Sequence, residues 1–352
     1  MNKYWSPRIR DLKAYVPGEQ PRDRILVKLN TNENPYPPSA KVLEAVKNTA
    51  DGRLRLYPDP DCVSFREAVA RQYKLLPENV FPGNGSDELL AFCFLAFFGP
   101  GRPVLFPDIT YSFYPVYADL FAVPFTPVPL DAEFRIPVSE FCRENGGVIF
   151  PNPNAPTGIP LAISQVETVL KANPDSVVIV DEAYIDFGGE SAVGLIPRYP
   201  NLLVTHTLSK FRSLAGLRAG YALGDKELIA ALDCVKNSFN SYTMDRVALA
   251  AAEAAVEDTE YFRLLAGRIA ATRDKTAEAL RSMGFLVLPS AANFLFASHK
   301  TVSGEYLQKG LRERGILVRR FQKPRIENFL RISMGTEEQM ELLIKALEEL
   351  LK

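Results

Sequence analysis

Histidine is scarce in this chain of 352 residues. His206 and His299 are the only two, which removes most metal sites and makes a Ser/His/Asp triad improbable. The four cysteines, Cys62, Cys93, Cys142 and Cys234, are widely spaced and form no CxxC pair, so neither a disulfide framework nor a zinc knuckle is implied. Net charge is also lacking. With 41 basic against 42 acidic residues and no basic block, nucleic acid and an anionic membrane are poor expectations, and any anion site must be local. The longest apolar run, Leu89 to Phe98, has ten residues, well short of the roughly 20 that span a bilayer. The N-terminal stretch MNKYWSPRIRDLKAYVPGEQPRDR is charged and broken by proline, without the continuous apolar segment of a secretory signal, so the expected location is the cytoplasm.

What remains is an ordinary globular composition, 47% hydrophobic and 24% charged, long enough for two or three domains with a real core. Short β-branched runs recur between about residues 80 and 225: Val104 to Phe106, Val148 to Phe150, Val177 to Val180 and Leu202 to Val204. They are apolar without alternation, which suits strands buried on both faces. Helical patterns lie between them, such as Ile163, Val166, Val169 and Leu170 on one stripe. The expected fold class is therefore α/β, a large domain with a mainly parallel sheet wrapped by helices. From about residue 243 the texture shifts to Ala-, Glu- and Arg-rich helices followed by the short runs Phe285 to Leu288, Phe294 to Ala297 and Ile316 to Arg319, read as a smaller α+β domain. Its last helix opens on Thr336 and Gln339 as a capping box and should lay Met340, Leu343, Ile344, Leu347 and Leu351 on the small sheet. The expected division is 1–45 as an arm and part of the small domain, 46–242 as the large domain and 243–352 as the small one.

In such sheets ligands sit beyond the C-terminal strand ends. Asp181 leaves the apolar run Val177 to Val180, where a carboxylate is costly unless paired; alone it reads as a helix cap or an ion-pair partner. Lys210 follows the next run, with Ser209 beside it and Arg218 further on, a phosphate-friendly cluster although each part alone is ordinary. In FPGNGSDELL, Gly83 and Gly85 permit a tight turn and Ser86 to Glu88 open a helix whose free amides can hold a phosphate; an unliganded helix start has the same composition. No GK[ST] follows and the spacing is not GxGxxG, so simple NTP or NAD binding is disfavoured. Together these elements supply an amine, an acid and phosphate donors on one sheet edge, the set that pyridoxal 5'-phosphate requires.

The ordered series GNGSDE, PDITYSFY, PNPNAPTG, VDEAYIDF, TLSKFRSLAGLRAGY and FLRISMGT resembles the fold-type I, pyridoxal-phosphate-dependent aminotransferases. With LNTNENPYPP near the start and RLYPDP around Tyr57, the similarity is greatest to the histidinol-phosphate aminotransferase family, whose members are homodimers. The resemblance runs nearly end to end. It implies that Lys210 forms the Schiff base, that Asp181 pairs with the pyridine nitrogen, that Tyr184 bonds the cofactor 3'-oxygen and that Tyr111 stacks on the ring. Amides near Ser86 and Asp87, with Ser209 and Arg218, would hold the phosphate, and Tyr57 would reach the phosphate in the neighbouring subunit. Arg331 matches the carboxylate-binding arginine; Arg319 reads equally as the second arginine for anionic substrate or as a solvated strand end, and Tyr15 equally as a pocket residue or as a surface tyrosine of the arm.

The family pattern has asparagine directly before PTG, on the 3'-oxygen, where this chain has Ala155; Asn154, the expected substitute, or Asn152 would replace it through a changed turn, or Tyr184 would carry the oxygen alone with a higher Schiff-base pKa. The implied reaction moves an amino group from histidinol phosphate to 2-oxoglutarate. Rival readings on the same fold are an aromatic aminotransferase or a threonine-phosphate decarboxylase, and a different class of answer is a noncatalytic binding protein.

Overall fold

A computed structural model describes residues 3–20 and 27–352. Its strands are β1 (Val27–Leu29), β2 (Val80–Gly83), β3 (Val104–Pro107), β4 (Phe125–Val128), β5 (Val148–Pro151), β6 (Val178–Asp181), β7 (Leu202–Thr207), β8 (Gly220–Gly224), β9 (Phe285–Val287), β10 (Phe294–His299), β11 (Ile316–Arg320) and β12 (Leu330–Ser333). Seven of them form one sheet in the order β2-β8-β7-β6-β5-β3-β4, parallel except for β8, which runs antiparallel to both neighbours. Chain order reverses between β3 and β5, a switch point at which the loops of the two strands diverge and leave a crevice.

The unbroken apolar runs are explained by what covers them. Val148, Phe150, Val178, Val180, Leu202 and Val204 join one core cluster, whereas Ile149, Ile179 and Leu203 join another on the opposite face. A strand whose successive side chains both meet protein has no reason to alternate. Strands β2, β4 and β8, which the sequence runs did not suggest, carry Pro82, Pro127 and three glycine or alanine positions, so their propensity is weak and pairing places them.

The second sheet has the order β1-β11-β12-β10-β9. Here β1 pairs parallel with β11 although nearly 290 residues separate them, so the N-terminal segment completes the small sheet. The segment at 21–26 of the expected arm lies outside the described residues. The last helix, Glu337–Leu350, has the capping box of Thr336 and Gln339, and its Met340, Leu343 and Leu347 share a core with Leu29 and Ile332 of the small sheet. Helices Ala40–Thr49 and Arg246–Glu257 pack on one another, and the latter also packs on Val63–Tyr73. Among the described residues no helix is long and apolar enough to cross a membrane.

Candidate active site

Strand register sets one level across the large sheet: Pro151 pairs with Asp181 and Asp181 with Thr205. Just beyond that level lies a cavity of about 200 Å³, bounded by the sheet edge, the start of helix Gly85–Phe97 and the small sheet. Eleven of the residues singled out from sequence line it: Tyr15, Ser86, Asp87, Tyr111, Asp181, Tyr184, Ser209, Lys210, Arg218, Arg319 and Arg331.

Asp181 ends β6 fully enclosed. Its Oδ2 accepts from Tyr114 Oη at 3.0 Å and its Oδ1 from Thr205 Oγ1 at 3.4 Å. Burial pushes its carboxyl up to about 6, against the lowering effect of the Tyr114, Ala183 and Thr205 hydrogen bonds. Among the described residues, every group that hydrogen-bonds this buried acid is neutral. Lys210 stands three residues past β7, and its Nζ donates to the carbonyl oxygen of Thr31 at 2.9 Å. Burial first, and the charge of Arg331 second, bring the ammonium down to about 8, opposed by Glu33 and Asp87.

At the other end of the cavity Arg218 donates to Asp87 Oδ2 at 3.0 Å and to Ser209 Oγ at 3.3 Å. It can do so because residue 85 is glycine: a Cβ there would lie 2.8 Å from Arg218 Nη2, and its φ of +75° is in the region that favours glycine. The amides of Ser86 and Asp87 belong to the first turn of helix Gly85–Phe97 and have no intrahelical acceptor. The Tyr111 hydroxyl donates to Asp87 Oδ1 at 2.6 Å, so the ring is held upright beside the helix start. Burial, followed by the Asp87 charge, raises its pKa well above the ordinary phenol range.

The opposite wall is basic. Register pairs Arg319 of β11 with Arg331 of β12, and the Arg331 guanidinium lies 5.6 Å from the Phe294 ring centre and 5.5 Å from that of Phe321. Arg331 Nη2 donates to Asn30 O at 2.9 Å, while its buried Nε has no acceptor among the described residues. Burial foremost, with the Arg319 charge adding, lowers its pKa. Tyr15 stacks on Phe113 with ring centres 4.1 Å apart and closes that side.

Two expected residues are not at this cavity. Asn154 does not line it: its Nδ2 donates to Ile109 O and Thr157 Oγ1, and its Oδ1 accepts from Thr110 Oγ1, so the whole amide is used in bracing its own loop to the loop after β3. The expectation that Asn154 replaces the amide missing at Ala155 is therefore corrected. Tyr57 is 77% exposed and stacks on Tyr242 at 4.5 Å, away from the cavity of its own chain.

Sequence reasoning also missed contributors. Asn30, Thr31 and Asn32 form part of the wall, and Tyr114 and Thr205 hold Asp181 from beneath. The polar density of LNTNEN is the only sequence trace of the first group; Tyr114 lies three residues after Tyr111, inside the mainly apolar helix Phe113–Phe121, and reads as core.

The family model "Aminotransferase class I and II" matches residues 24–347. The chain is 54% identical over 351 residues to a histidinol-phosphate aminotransferase of Clostridium beijerinckii, covering 100% of this chain and 98% of that one. It is 55% identical over 350 residues to a histidinol-phosphate aminotransferase of Pseudomonas syringae pv. syringae, covering 99% and 100%. Among solved structures it resembles the histidinol-phosphate aminotransferase of Sinorhizobium meliloti in complex with pyridoxal-5'-phosphate, with a TM-score of 0.89, 25% identity and coverage of 100% and 98%. At this similarity along its whole length, the chain belongs to the class I and II aminotransferases and, within them, to the histidinol-phosphate aminotransferase family.

Proposed function

We propose that this chain transfers the amino group of histidinol phosphate to 2-oxoglutarate with pyridoxal 5'-phosphate as cofactor, giving imidazole acetol phosphate and glutamate. The observation that carries the reading is that Lys210 and Asp181 line one cavity in a chain 54% identical end to end to a histidinol-phosphate aminotransferase.

The residues present fit the cofactor. A buried carboxylate whose hydrogen-bond partners are all neutral is a poor structural ion and a good partner for a cationic ring nitrogen. The cradle of Ser86, Asp87, Ser209 and Arg218 suits its phosphate, Tyr111 its ring face and Tyr184 its 3'-oxygen. When bound, the cofactor supplies an aldehyde for an amine and a cationic ring that accepts electron density from the carbon being deprotonated.

The chain's own residues do the rest. Lys210, with its pKa brought to about 8, offers an amine that is partly uncharged near neutrality, and its Nζ would serve as the base that takes the proton from the substrate α-carbon. With its carboxyl at about 6, Asp181 would be mostly ionised near neutral pH and would hold the cofactor's ring nitrogen in its cationic form. Arg331, with an unpartnered Nε and with Arg319 on the adjacent strand, receives the anionic end of either substrate, phosphate or carboxylate. Tyr15 and Phe321 border that subsite and limit its access to water.

We assign the working unit as a homodimer. Tyr57, Leu54 and Phe239 are 77%, 57% and 74% exposed, and Tyr57 stacks on Tyr242; a second copy would cover such exposed apolar side chains and receive Tyr57 at its phosphate cradle. The test of function is a panel: histidinol phosphate beside phenylalanine, tyrosine and threonine phosphate, each with 2-oxoglutarate. Histidinol phosphate should have the highest kcat/KM. Carbon dioxide release from threonine phosphate at a comparable rate, or a protein that stays colourless with added cofactor, would overturn the reading.

A further inference from the structure

The 3'-oxygen of the cofactor has one donor fewer here than the family pattern supplies, since Ala155 has no polar side-chain atom and Asn154 is used within its own loop. Another asparagine stands behind Tyr184. Asn32 is 152 residues away in sequence and 1% exposed, and its Nδ2 donates to Tyr184 Oη at 3.0 Å.

Its orientation is fixed by the small sheet. Ser333 Oγ accepts the Asn32 backbone N–H at 2.8 Å and returns its own hydrogen to Asn32 Oδ1 at 2.8 Å. Asn293 Nδ2 holds the Asn32 carbonyl oxygen at 3.0 Å. With Oδ1 taken by Ser333, the NH₂ group is what remains for Tyr184. A phenol hydroxyl has one hydrogen to give. Because Asn32 fills a lone pair, the Tyr184 hydrogen cannot turn back toward it and is left for an acceptor in the cavity; accepting one hydrogen bond also strengthens the one donated.

We propose that Asn32 is a positioning residue that presets Tyr184 as donor to the cofactor's 3'-oxygen, in place of the amide absent at position 155. This rests on the role given above to Tyr184. Residue 32 has φ +57°, a conformation that asparagine and aspartate tolerate best after glycine. Asn32→Asp therefore keeps shape and backbone but presents only acceptors to Tyr184, which turns the phenol hydrogen away from the cofactor. Asn32→Ala removes the donor without adding a competing acceptor.

The readout is the pH midpoint of the visible absorbance change of the holoenzyme without substrate. Losing a donor to the 3'-oxygen leaves more negative charge beside the nitrogen through which Lys210 joins the cofactor, and so raises the midpoint. Tyr184→Phe should raise it by about 1 unit, tenfold in proton affinity. Asn32→Asp should raise it nearly as far, and Asn32→Ala less than half as far. In the Tyr184→Phe background Asn32→Asp should add nothing. A residue that only fills space would give the reverse order, with alanine worst. The proposal falls if the Asn32→Asp shift persists in the Tyr184→Phe background, which would make it an effect of charge, or if the Asn32 variants leave the midpoint alone while Tyr184→Phe moves it. If Tyr184→Phe itself moves nothing, the assignment of Tyr184 fails first and takes this proposal with it.

Discussion

The two walls of the cavity are built on different plans. On one side Asp181 closes β6 and Lys210 follows β7 by three residues, so each is carried to the site by the strand that precedes it. On the other, Asn30, Thr31 and Asn32 meet Arg331, Lys210 and Ser333 across sequence separations of 301, 179 and 301 residues. The first wall is held by the main-chain ladder of a buried parallel sheet, which no single side chain controls. The second is held by side chains that bond to chain segments far away in sequence, two of them to backbone carbonyls and one to another side chain, so each substitution there acts on position as well as on chemistry. The comparison predicts that variants of the sheet edge lose chemistry with little loss of fold, and that variants of the opposite wall lose binding or geometry.

The largest effect belongs to Lys210→Ala, which on the proposed reading removes both the cofactor link and the base, and turnover should fall by about 10⁴-fold or more. A variant that kept its visible band and normal turnover would remove Lys210 from the mechanism. The wild-type lysine also has a pH signature. Its uncharged form prevails above about 8, so loading of cofactor onto the stripped protein should speed up as pH rises through that value, whereas an ordinary lysine would keep accelerating toward about 10.4. Stopped-flow absorbance across pH 6 to 10 would distinguish them.

Asp181→Asn should cost turnover about 10²- to 10³-fold, yet stabilise the cofactor-free protein. Burial raises the carboxyl to about 6, above its unfolded value, so the native state holds the proton more tightly than the unfolded chain. Below the unfolded pKa the acid is neutral in both states and costs nothing through this route; as pH rises through about 6, the full penalty develops. The stability advantage of the asparagine variant should accordingly grow from pH 4 to about 6 and level off above it, at no more than about 3 kcal/mol. Denaturant unfolding of both cofactor-free proteins at pH 4.5 and 8 would check this, and an advantage that shrank with pH would contradict it.

Arg331→Ala tests the second wall. With a buried charged donor removed, kcat/KM should fall about 10- to 100-fold for histidinol phosphate and for glutamate alike. Retained glutamate affinity would move the anion subsite to Arg319.

The contrast between walls also explains what the sequence disclosed. Asp181, Lys210 and the Gly85 turn were legible because a parallel sheet puts the residues after its apolar runs on one edge, and the local chain carries that pattern. Strand β1 and the roles of Asn30 to Asn32 were not, because a three-residue strand pairing with β11 and an asparagine answering Ser333 are decided by contacts some 300 residues away. Asn154 misled because adjacency in sequence does not say where a side chain is used: it neighbours Ala155, yet Ile109, Thr110 and Thr157 had already claimed its amide.

Asn34 offers the finest test of the division. Its Nδ2 donates to the carbonyl oxygens of Lys210 and Phe211 at 3.2 and 3.3 Å, and its Oδ1 accepts the Tyr36 N–H at 3.0 Å. These bonds join the N-terminal segment to the loop that carries Lys210, but through main chain rather than through the amine. Asn34→Ala should thus lower stability by about 1 to 2 kcal/mol, the cost of partly buried carbonyls left without a donor. Because Lys210 keeps its strand and its enclosure, the pH midpoint of cofactor loading should remain near 8 and kcat should change only a few-fold. If Asn34→Ala instead shifts that midpoint toward that of an exposed lysine, the far segment sets the enclosure of Lys210 as well as its position, and the two walls work as one unit.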